Sequence, residues 1–165
     1  MNNQFKRVPT NRIYFTYSNL IKCISIIVFL CLFALVYVSL KEPINVFWMV
    51  GIIALIGLGI SVALAPRYLE KKDNTYTLKT VLHAFHFKVE DYDVATCSKS
   101  ELEHSVRTFG SGGFLGFIGY FWNKRLGRYL CFVTSFKRPM IKFTHKQTHK
   151  ITIVNGSIES LSDNL

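Results

Sequence analysis

Histidine is the residue type in this chain best suited to hold a metal ion, and its spacing favours structural roles. His145 and His149 are four residues apart, as in a helical metal site, but they fall where a turn between strands is expected and no Glu accompanies them. His83 and His86 would point to opposite faces of a strand, and His104 stands alone. We therefore predict no metal site and no cofactor.

The cysteines and the closest pair of carboxylates do not form a catalytic constellation either. Asp91 and Asp93 would share one face of a strand, where a solvated edge is more common than an acid–base pair. A cysteine nucleophile needs a base beside it, and the sequence around Cys97 and Cys131 supplies none. With Cys23 and Cys31 they form no C-x-x-C pair, so free thiols in a reducing cytosol are expected. The sequence predicts a protein that is not an enzyme.

The strongest functional signal is a run of basic residues without any acidic residue between Lys124 and Lys150. Such a run often serves only to solvate a surface, but beside a bilayer each nearby Lys or Arg also attracts anionic headgroups by about 1 kcal/mol. Nucleic acid is not expected as a partner, because no RNA- or DNA-binding motif is recognisable. The candidate face for anionic lipid headgroups or a protein partner consists of Lys124, Arg125, Arg128, Lys137, Arg138, Lys142, Lys146 and Lys150.

Two long apolar runs indicate how such a face would reach a membrane. Half of the 165 residues are hydrophobic and only 18% are charged, with a net charge of +10. The runs Cys23–Leu40 and Ile44–Ala65 contain no charge, and each approaches the roughly 20 residues that a helix needs to cross a bilayer. Only "KEP" separates them, so we predict a transmembrane helical hairpin over residues 20–65. A cleaved signal peptide is the main alternative, but no small-residue cleavage site follows the first run.

Charges beside the hairpin predict its orientation. Basic residues lie on both outer sides of it, whereas Lys41 in the connection is balanced by Glu42, so both termini should be cytoplasmic. Neither run contains an ionisable residue, which disfavours an ion pathway. In the second run Gly57, Ser61 and Ala65 recur every four residues, a spacing that suits close helix packing or reflects ordinary membrane composition. The flanking basic residues are Lys6, Arg7, Arg12, Lys22, Arg67, Lys71 and Lys72.

After Pro66 the chain alternates polar and apolar residues between turn formers, which is typical of strands. The segments "NTYTLKTV", "HAFHFKVE", "DVATCS", "RYLCFVTSF", "PMIKFTH" and "HKITIV" follow this pattern, and "SIESLSDNL" could form a short closing helix with Ile158 and Leu161 on one face. The expected fold class is thus an α+β membrane protein. Its parts are a basic cytoplasmic segment (1–19), the hairpin (20–65) and a mainly antiparallel β domain of about seven strands with a short C-terminal helix (66–165).

The glycine-rich stretch "RTFGSGGFLGFIGYFWNK" fits no phosphate-binding motif, since Leu115 stands where a dinucleotide fingerprint needs glycine. It is also too short and too rich in glycine for a third membrane helix. We predict a tight turn at "GSGG", with Gly112 and Gly113 at backbone angles closed to other residues and Arg107 paired with Glu101, Glu103 or turn carbonyls. An extended segment should follow, apolar on both faces: Phe114, Ile118, Tyr120 and Trp122 on one, and Leu115, Phe117 and Phe121 on the other. The structural motif comprises Arg107, Phe109, Gly110, Ser111, Gly112 and Gly113.

These segments also carry a family resemblance. The sequence "RTFGSGGFLGFIGYF", the following "LGRY" and the closing "HKITIVNG" resemble the bacterial pleckstrin-homology-like (PH-like) domains found behind one or two membrane helices. The resemblance covers roughly residues 66–161 and implies a curled sheet or barrel of about seven strands, capped by a helix. It also implies a binding or assembly module without catalysis.

The expected function is that of a membrane-anchored binding or scaffold module in the bacterial inner membrane, possessing no catalytic residues. Its cytosolic domain would contact protein partners or anionic headgroups, and it could form a homo-oligomer. The alternative is an accessory subunit of a larger membrane complex such as a transporter.

Overall fold

The computed structural model describes residues 12–41, 45–113 and 115–162, and these form a mixed α+β structure. The helices are α1 (Asn19–Lys41), α2 (Asn45–Ala63) and α3 (Ile158–Ser162), with a 3₁₀ helix at Lys99–Leu102. The strands are β1 (Arg12–Tyr14), β2 (Pro66–Lys72), β3 (Thr75–Thr80), β4 (Ala84–Lys88), β5 (Tyr92–Cys97), β6 (Val106–Gly113), β7 (Gly116–Asn123), β8 (Gly127–Val133), β9 (Met140–His145) and β10 (Ile151–Asn155).

The strands form two sheets that are mostly antiparallel. One sheet has four strands in the order β1-β2-β3-β4, and the other has six in the order β5-β9-β10-β8-β7-β6. Among the described strands only β8 and β10 pair in parallel. The expectation of a mainly antiparallel β domain is therefore confirmed, although the structure contains more strands than the seven or so predicted.

The two sheets pack face to face around the main hydrophobic core. Leu69 and Leu78 come from the four-stranded sheet, and Phe132, Phe143 and Val154 from the six-stranded sheet, and all five are buried. Burial of such side chains contributes about 1.5–3 kcal/mol each, which makes this interface the main source of stability. The C-terminal helix α3 adds Leu161 to the same core, as the sequence predicted.

The six-stranded sheet is also apolar on its second face. Tyr129, Cys131, Val133 and Ile153 alternate with the main-core residues along β8 and β10 and form a second buried cluster. The cover comes from outside the sheet: Leu102 of the 3₁₀ helix, Leu126 and Phe136 pack on this face. Two hydrophobic layers therefore enclose the centre of this sheet.

Helix α1 is long and apolar enough to cross a membrane, and its window Ile21–Val38 has a mean hydropathy of 2.7. No other described helix is both long enough and apolar enough to cross a membrane. Only 6% of the window is buried, so α1 is not a core helix of this fold. A helix with these properties near an N-terminus occurs as a membrane anchor or as a signal sequence. Helix α1 contacts α2 and the edge strand β6.

Several sequence-based expectations need correction. Arg12–Tyr14 lies in the predicted basic N-terminal segment, but it forms β1 and pairs with β2 of the β domain. The "GSGG" residues are part of β6 instead of forming a turn. On β7, Ile118 and Phe121 are buried on opposite faces as expected, but Tyr120 and Trp122 are exposed. Lys6, Arg7, the connection at residues 42–44, Phe114 and the last three residues lie outside the described part of the chain.

Close approach of two backbones explains the glycines of β6 and β7. Gly110 and Gly119 are paired, and their φ angles are +111° and +126°, a region that favours glycine. A Cβ on Gly119 would collide with the carbonyl oxygen of Phe109, and one on Gly110 with that of Ile118. Gly112, in contrast, has no positive φ, so the prediction that its backbone angles exclude other residues was wrong.

We expect Gly119→Ala to lower the free energy of unfolding by about 3 kcal/mol or more, because it adds a backbone collision to the strain of a positive φ. The matched control is Gly127→Ala, which has a φ of +68° but no atom within 4 Å of the added Cβ. That change should cost only about 1 kcal/mol. Unfolding of both variants in detergent, followed by circular dichroism, measures the difference. Equal losses would contradict the collision argument.

Candidate functional site

Two of the predicted basic residues, Lys137 and Arg138, lie beside the start of α1. They line a cavity of about 820 Å³ together with Lys99 and with residues 16–19 and Ile21 at the beginning of α1. Phe117 and Phe136 contribute an apolar wall. We call this cavity the helix-start cleft. It combines three cations with aromatic surface at the point where the long apolar helix α1 begins.

A buried amide positions the loop that carries Lys137 and Arg138. Asn155, at the end of β10, is 3% exposed, and its Oδ1 accepts hydrogen bonds from the backbone N–H groups of Thr134 (2.7 Å) and Ser135 (3.1 Å). Its Nδ2 donates to the carbonyl oxygen of Ser135 at 2.8 Å. Because one side chain satisfies three backbone groups, the loop between β8 and β9 is held rigidly against the sheet.

The same loop is joined to the segment that leads into α1. Thr134 Oγ1 donates a hydrogen bond to the carbonyl oxygen of Thr16 at 3.1 Å, and Tyr17 Oη donates to that of Pro66 at 3.1 Å. The backbone N–H of Phe15 donates to the carbonyl oxygen of Arg67 at 3.0 Å. The loop that carries Lys137 and Arg138 is therefore held next to the segment that leads into α1.

Lys99 is a cleft residue that the sequence analysis missed. It lies in the 3₁₀ helix, where the carboxylate of Glu101 accepts a hydrogen bond from the backbone N–H of Ser98 at 3.0 Å. The pattern Ser-x-x-Glu at Ser98 and Glu101 is a recognised start signal for a helical turn and could have located this turn. It could not have shown which loop the turn contacts.

The remaining predicted basic residues do not line the cleft. Lys142 makes an ion pair with Glu101 at 2.7 Å, and this contact lowers the pKa of Glu101, with help from the Ser98 N–H. Lys146 Nζ donates to the carbonyl oxygens of Val89 and Glu90. The absence of acidic residues between Lys124 and Lys150 in the sequence therefore did not mean an absence of counter-charges in the fold.

Two further groups of cations line other cavities. Arg128 lies over the ring of Tyr120, 4.6 Å from its centroid, and shares a cavity of about 410 Å³ with His149 and Lys150. Lys124 and Arg125 line another cavity. The guanidinium of Arg125 also donates to the carbonyl oxygen of Ser100 at 3.4 Å. The eight basic residues are thus divided among several places on the domain.

Several titratable residues outside these cavities are buried or hydrogen-bonded to neighbouring groups. Burial raises the pKa of Cys97 to about 11 and also raises that of Cys131, so both thiols stay protonated at neutral pH. His145 Nδ1 accepts hydrogen bonds from the backbone of the β9–β10 turn. His86 shares a hydrogen bond with Thr77. No cluster of three metal-ligating side chains occurs in the part of the chain that the structure describes.

Arg107 has a different environment from the one expected. Glu101 pairs with Lys142 instead, and Arg107 belongs to neither of the two ion pairs found among the described residues. Its side chain is exposed and passes over Gly112, since a Cβ on that glycine would lie 3.1 Å from Nη1 of the guanidinium. Gly112 therefore makes room for Arg107.

Comparisons of the chain with models of known protein families, with curated proteins and with solved structures found no match. The resemblance to bacterial PH-like domains stays a prediction.

Asn155→Ala should lower the free energy of unfolding by about 2 kcal/mol or more, because it leaves buried backbone groups of Thr134 and Ser135 without partners. Asn74→Ala is the control: this exposed residue lies in the β2–β3 turn and uses its backbone carbonyl to accept from Val89. We expect the control to change stability by less than about 0.5 kcal/mol. Thermal unfolding in detergent provides the comparison, and a small effect at Asn155 would contradict its assigned role.

Proposed function

We propose that this protein is a membrane-anchored, non-catalytic binding module whose helix-start cleft binds anionic lipid headgroups. The observation that supports this most directly is the grouping of Lys99, Lys137 and Arg138 around the first turn of α1. The apolar window of α1 begins at Ile21, which itself lines the cleft. In a membrane-spanning α1 that turn lies at headgroup level.

Each cation held at that level contributes about 1 kcal/mol of attraction to an anionic leaflet. Three cations fixed on one rigid loop and one 3₁₀ helix form a more localised site than a flexible basic tail. Phe117 and Phe136 line the same cleft, and aromatic side chains suit the boundary between headgroups and acyl chains. The ligand class is therefore an anionic phospholipid.

We further propose that α1 and α2 form a transmembrane hairpin with both ends in the cytoplasm of a bacterial cell. Strand β1 precedes α1, strand β2 follows α2, and β1 and β2 pair in one sheet. This pairing supports entry and exit on the same side. Arg12, Arg67, Lys71 and Lys72 are on that side of the helices, which favours a cytoplasmic location.

The alternative function, an accessory subunit of a larger membrane complex, has a specific observation in its favour. Val106 pairs with Trp122 and Phe109 with Tyr120 across β6 and β7, and all four side chains are exposed. Apolar patches of this kind commonly mark protein contacts. Co-purification with one membrane partner at a fixed ratio would favour the accessory subunit, whereas a protein that runs alone or as a homo-oligomer would favour the module.

The topology can be tested with single cysteines at positions 43 and 74 in a chain whose native cysteines are replaced. A membrane-impermeant maleimide applied to intact cells should label the cysteine at 43 and spare the one at 74. The control is lysed cells, where both should react. Labelling at 74 but not at 43 in intact cells would contradict the orientation.

The headgroup site can be tested on the full chain, since a fragment beginning at Asp73 would remove β1 and β2 from their sheet. After reconstitution, spin-labelled phosphatidylglycerol should associate more strongly than spin-labelled phosphatidylcholine. Changing Lys99, Lys137 and Arg138 to Gln should reduce this preference, and so should raising the salt to 1 M, where the Debye length falls to about 3 Å.

The matched control changes three cations outside the cleft, Lys88, Lys124 and Lys146, to Gln. This variant has the same net charge as the cleft variant. We expect it to retain most of the preference for phosphatidylglycerol. Equal losses in the two variants would mean that only total charge matters and that the cleft is not a site.

A further inference from the structure

A second cavity, of about 430 Å³, lies between strand β6 and the two N-terminal helices. Val28 and Leu32 of α1 and Gly57 of α2 contribute to one side, while Arg107 and Phe109 of β6 contribute to the other. We call it the β6–helix groove. Its volume falls in the usual range for small-molecule pockets, about 300–1,000 Å³.

Residues without bulky side chains keep this groove open. A Cβ built on Gly57 meets no atom within 4 Å, so the small-residue row of α2 faces space at this point. Contact with α1 occurs elsewhere along α2, where a Cβ on Gly51 would lie 3.7 Å from Leu35 Cδ2. Ser61 also lines the groove, but its hydroxyl donates to the carbonyl oxygen of Gly57 at 2.9 Å. The α2 wall therefore presents apolar surface with its polar group satisfied.

Exposed apolar residues adjoin the groove-lining residues along both helices. Phe29 and Leu30 of α1 are each 61% exposed, and Ile56 of α2 is 57% exposed. The end of the β6–β7 hairpin also touches α1, where the backbone N–H of Leu115 donates to Ser25 Oγ at 3.1 Å. Whatever apolar medium surrounds α1 and α2 can therefore extend into the groove.

Among the described residues, Arg107 is the only cation that lines the groove, and no described carboxylate is paired with it. Its cationic guanidinium presents a planar set of donors that matches the oxygens of a phosphate. An apolar channel with one such cation is complementary to an amphiphile that has an acyl chain and an anionic phosphate.

We propose that the β6–helix groove binds one anionic phospholipid of the surrounding membrane, with an acyl chain between α2 and β6 and the phosphate on Arg107. This inference rests on the proposed function, because it requires α1 and α2 to be in a bilayer. It adds a second, more selective lipid site, formed by residues that the helix-start cleft does not use.

The test uses the full chain in nanodiscs with a phosphatidylglycerol probe that carries a photoreactive diazirine in its acyl chain. Mass spectrometry then locates the labelled residues. We expect label at Phe109–Ser111 and at Gly57–Ser61. Gly57→Leu should reduce the label on Phe109–Ser111 roughly tenfold, since it fills a space that an acyl chain would occupy.

Gly59→Leu provides the matched control, because a Cβ at Gly59 also meets no atom within 4 Å but Gly59 does not line the groove. It should leave the label on β6 unchanged.

For the headgroup, Arg107→Gln should reduce labelling by the phosphatidylglycerol probe roughly tenfold, the loss expected when a charge-assisted hydrogen bond is removed. Labelling by a matched diacylglycerol probe, which has the same acyl chains but no phosphate, should change much less.

Three results would overturn the proposal: equal β6 labelling in wild type and Gly57→Leu, no difference between the two probes, or a cross-link to a second protein chain in place of lipid.

Extraction of vesicles with alkaline carbonate distinguishes a failure of the groove proposal from a failure of the proposed function. If carbonate releases the protein, the anchor and both lipid sites are wrong. If the protein stays in the membrane but β6 is unlabelled, only the groove proposal is wrong. Lys137→Gln with Arg138→Gln should leave the label on β6 unchanged.

Discussion

The buried amide of Asn155 is the interaction on which the arrangement of helix and domain depends. It satisfies backbone groups of Thr134 and Ser135, and Thr134 in turn donates to the carbonyl oxygen of Thr16, just before α1. A buried polar side chain that loses its partners is costly, so this network tolerates few alternative geometries. The position of Lys137 and Arg138 beside the helix follows from it.

The six-stranded sheet provides the rigid body behind this network. Its central strands bury apolar side chains on both faces, against the four-stranded sheet on one and against the 3₁₀ helix and the β8–β9 loop on the other. The close pairing of Gly110 and Gly119 then brings β6 and β7 together at the edge that contacts α1. Two hydrophobic layers and one backbone contact thus determine where both candidate lipid sites can form.

The two proposed sites would recognise a lipid in different ways, the helix-start cleft mainly by charge and the β6–helix groove also by shape. At the helix-start cleft several cations lie where headgroups would be, so long-range attraction dominates and salt weakens it. At the β6–helix groove one guanidinium accompanies an apolar channel, so the fit of an acyl chain matters as much as charge.

The sequence by itself determined the local features of this protein. Periodicity located six strands, the apolar helix α1 and the closing helix α3, because alternation and apolar length are properties of neighbouring residues. It did not reveal the pairing of β1 with β2, which joins residues far apart in the chain. Nor did it show that Lys142 pairs with Glu101. It also did not show that Lys137 and Arg138 line one cavity with Lys99 at the start of α1. Those contacts were decided by the tertiary structure alone, because strand register and loop packing bring together side chains that no local pattern connects.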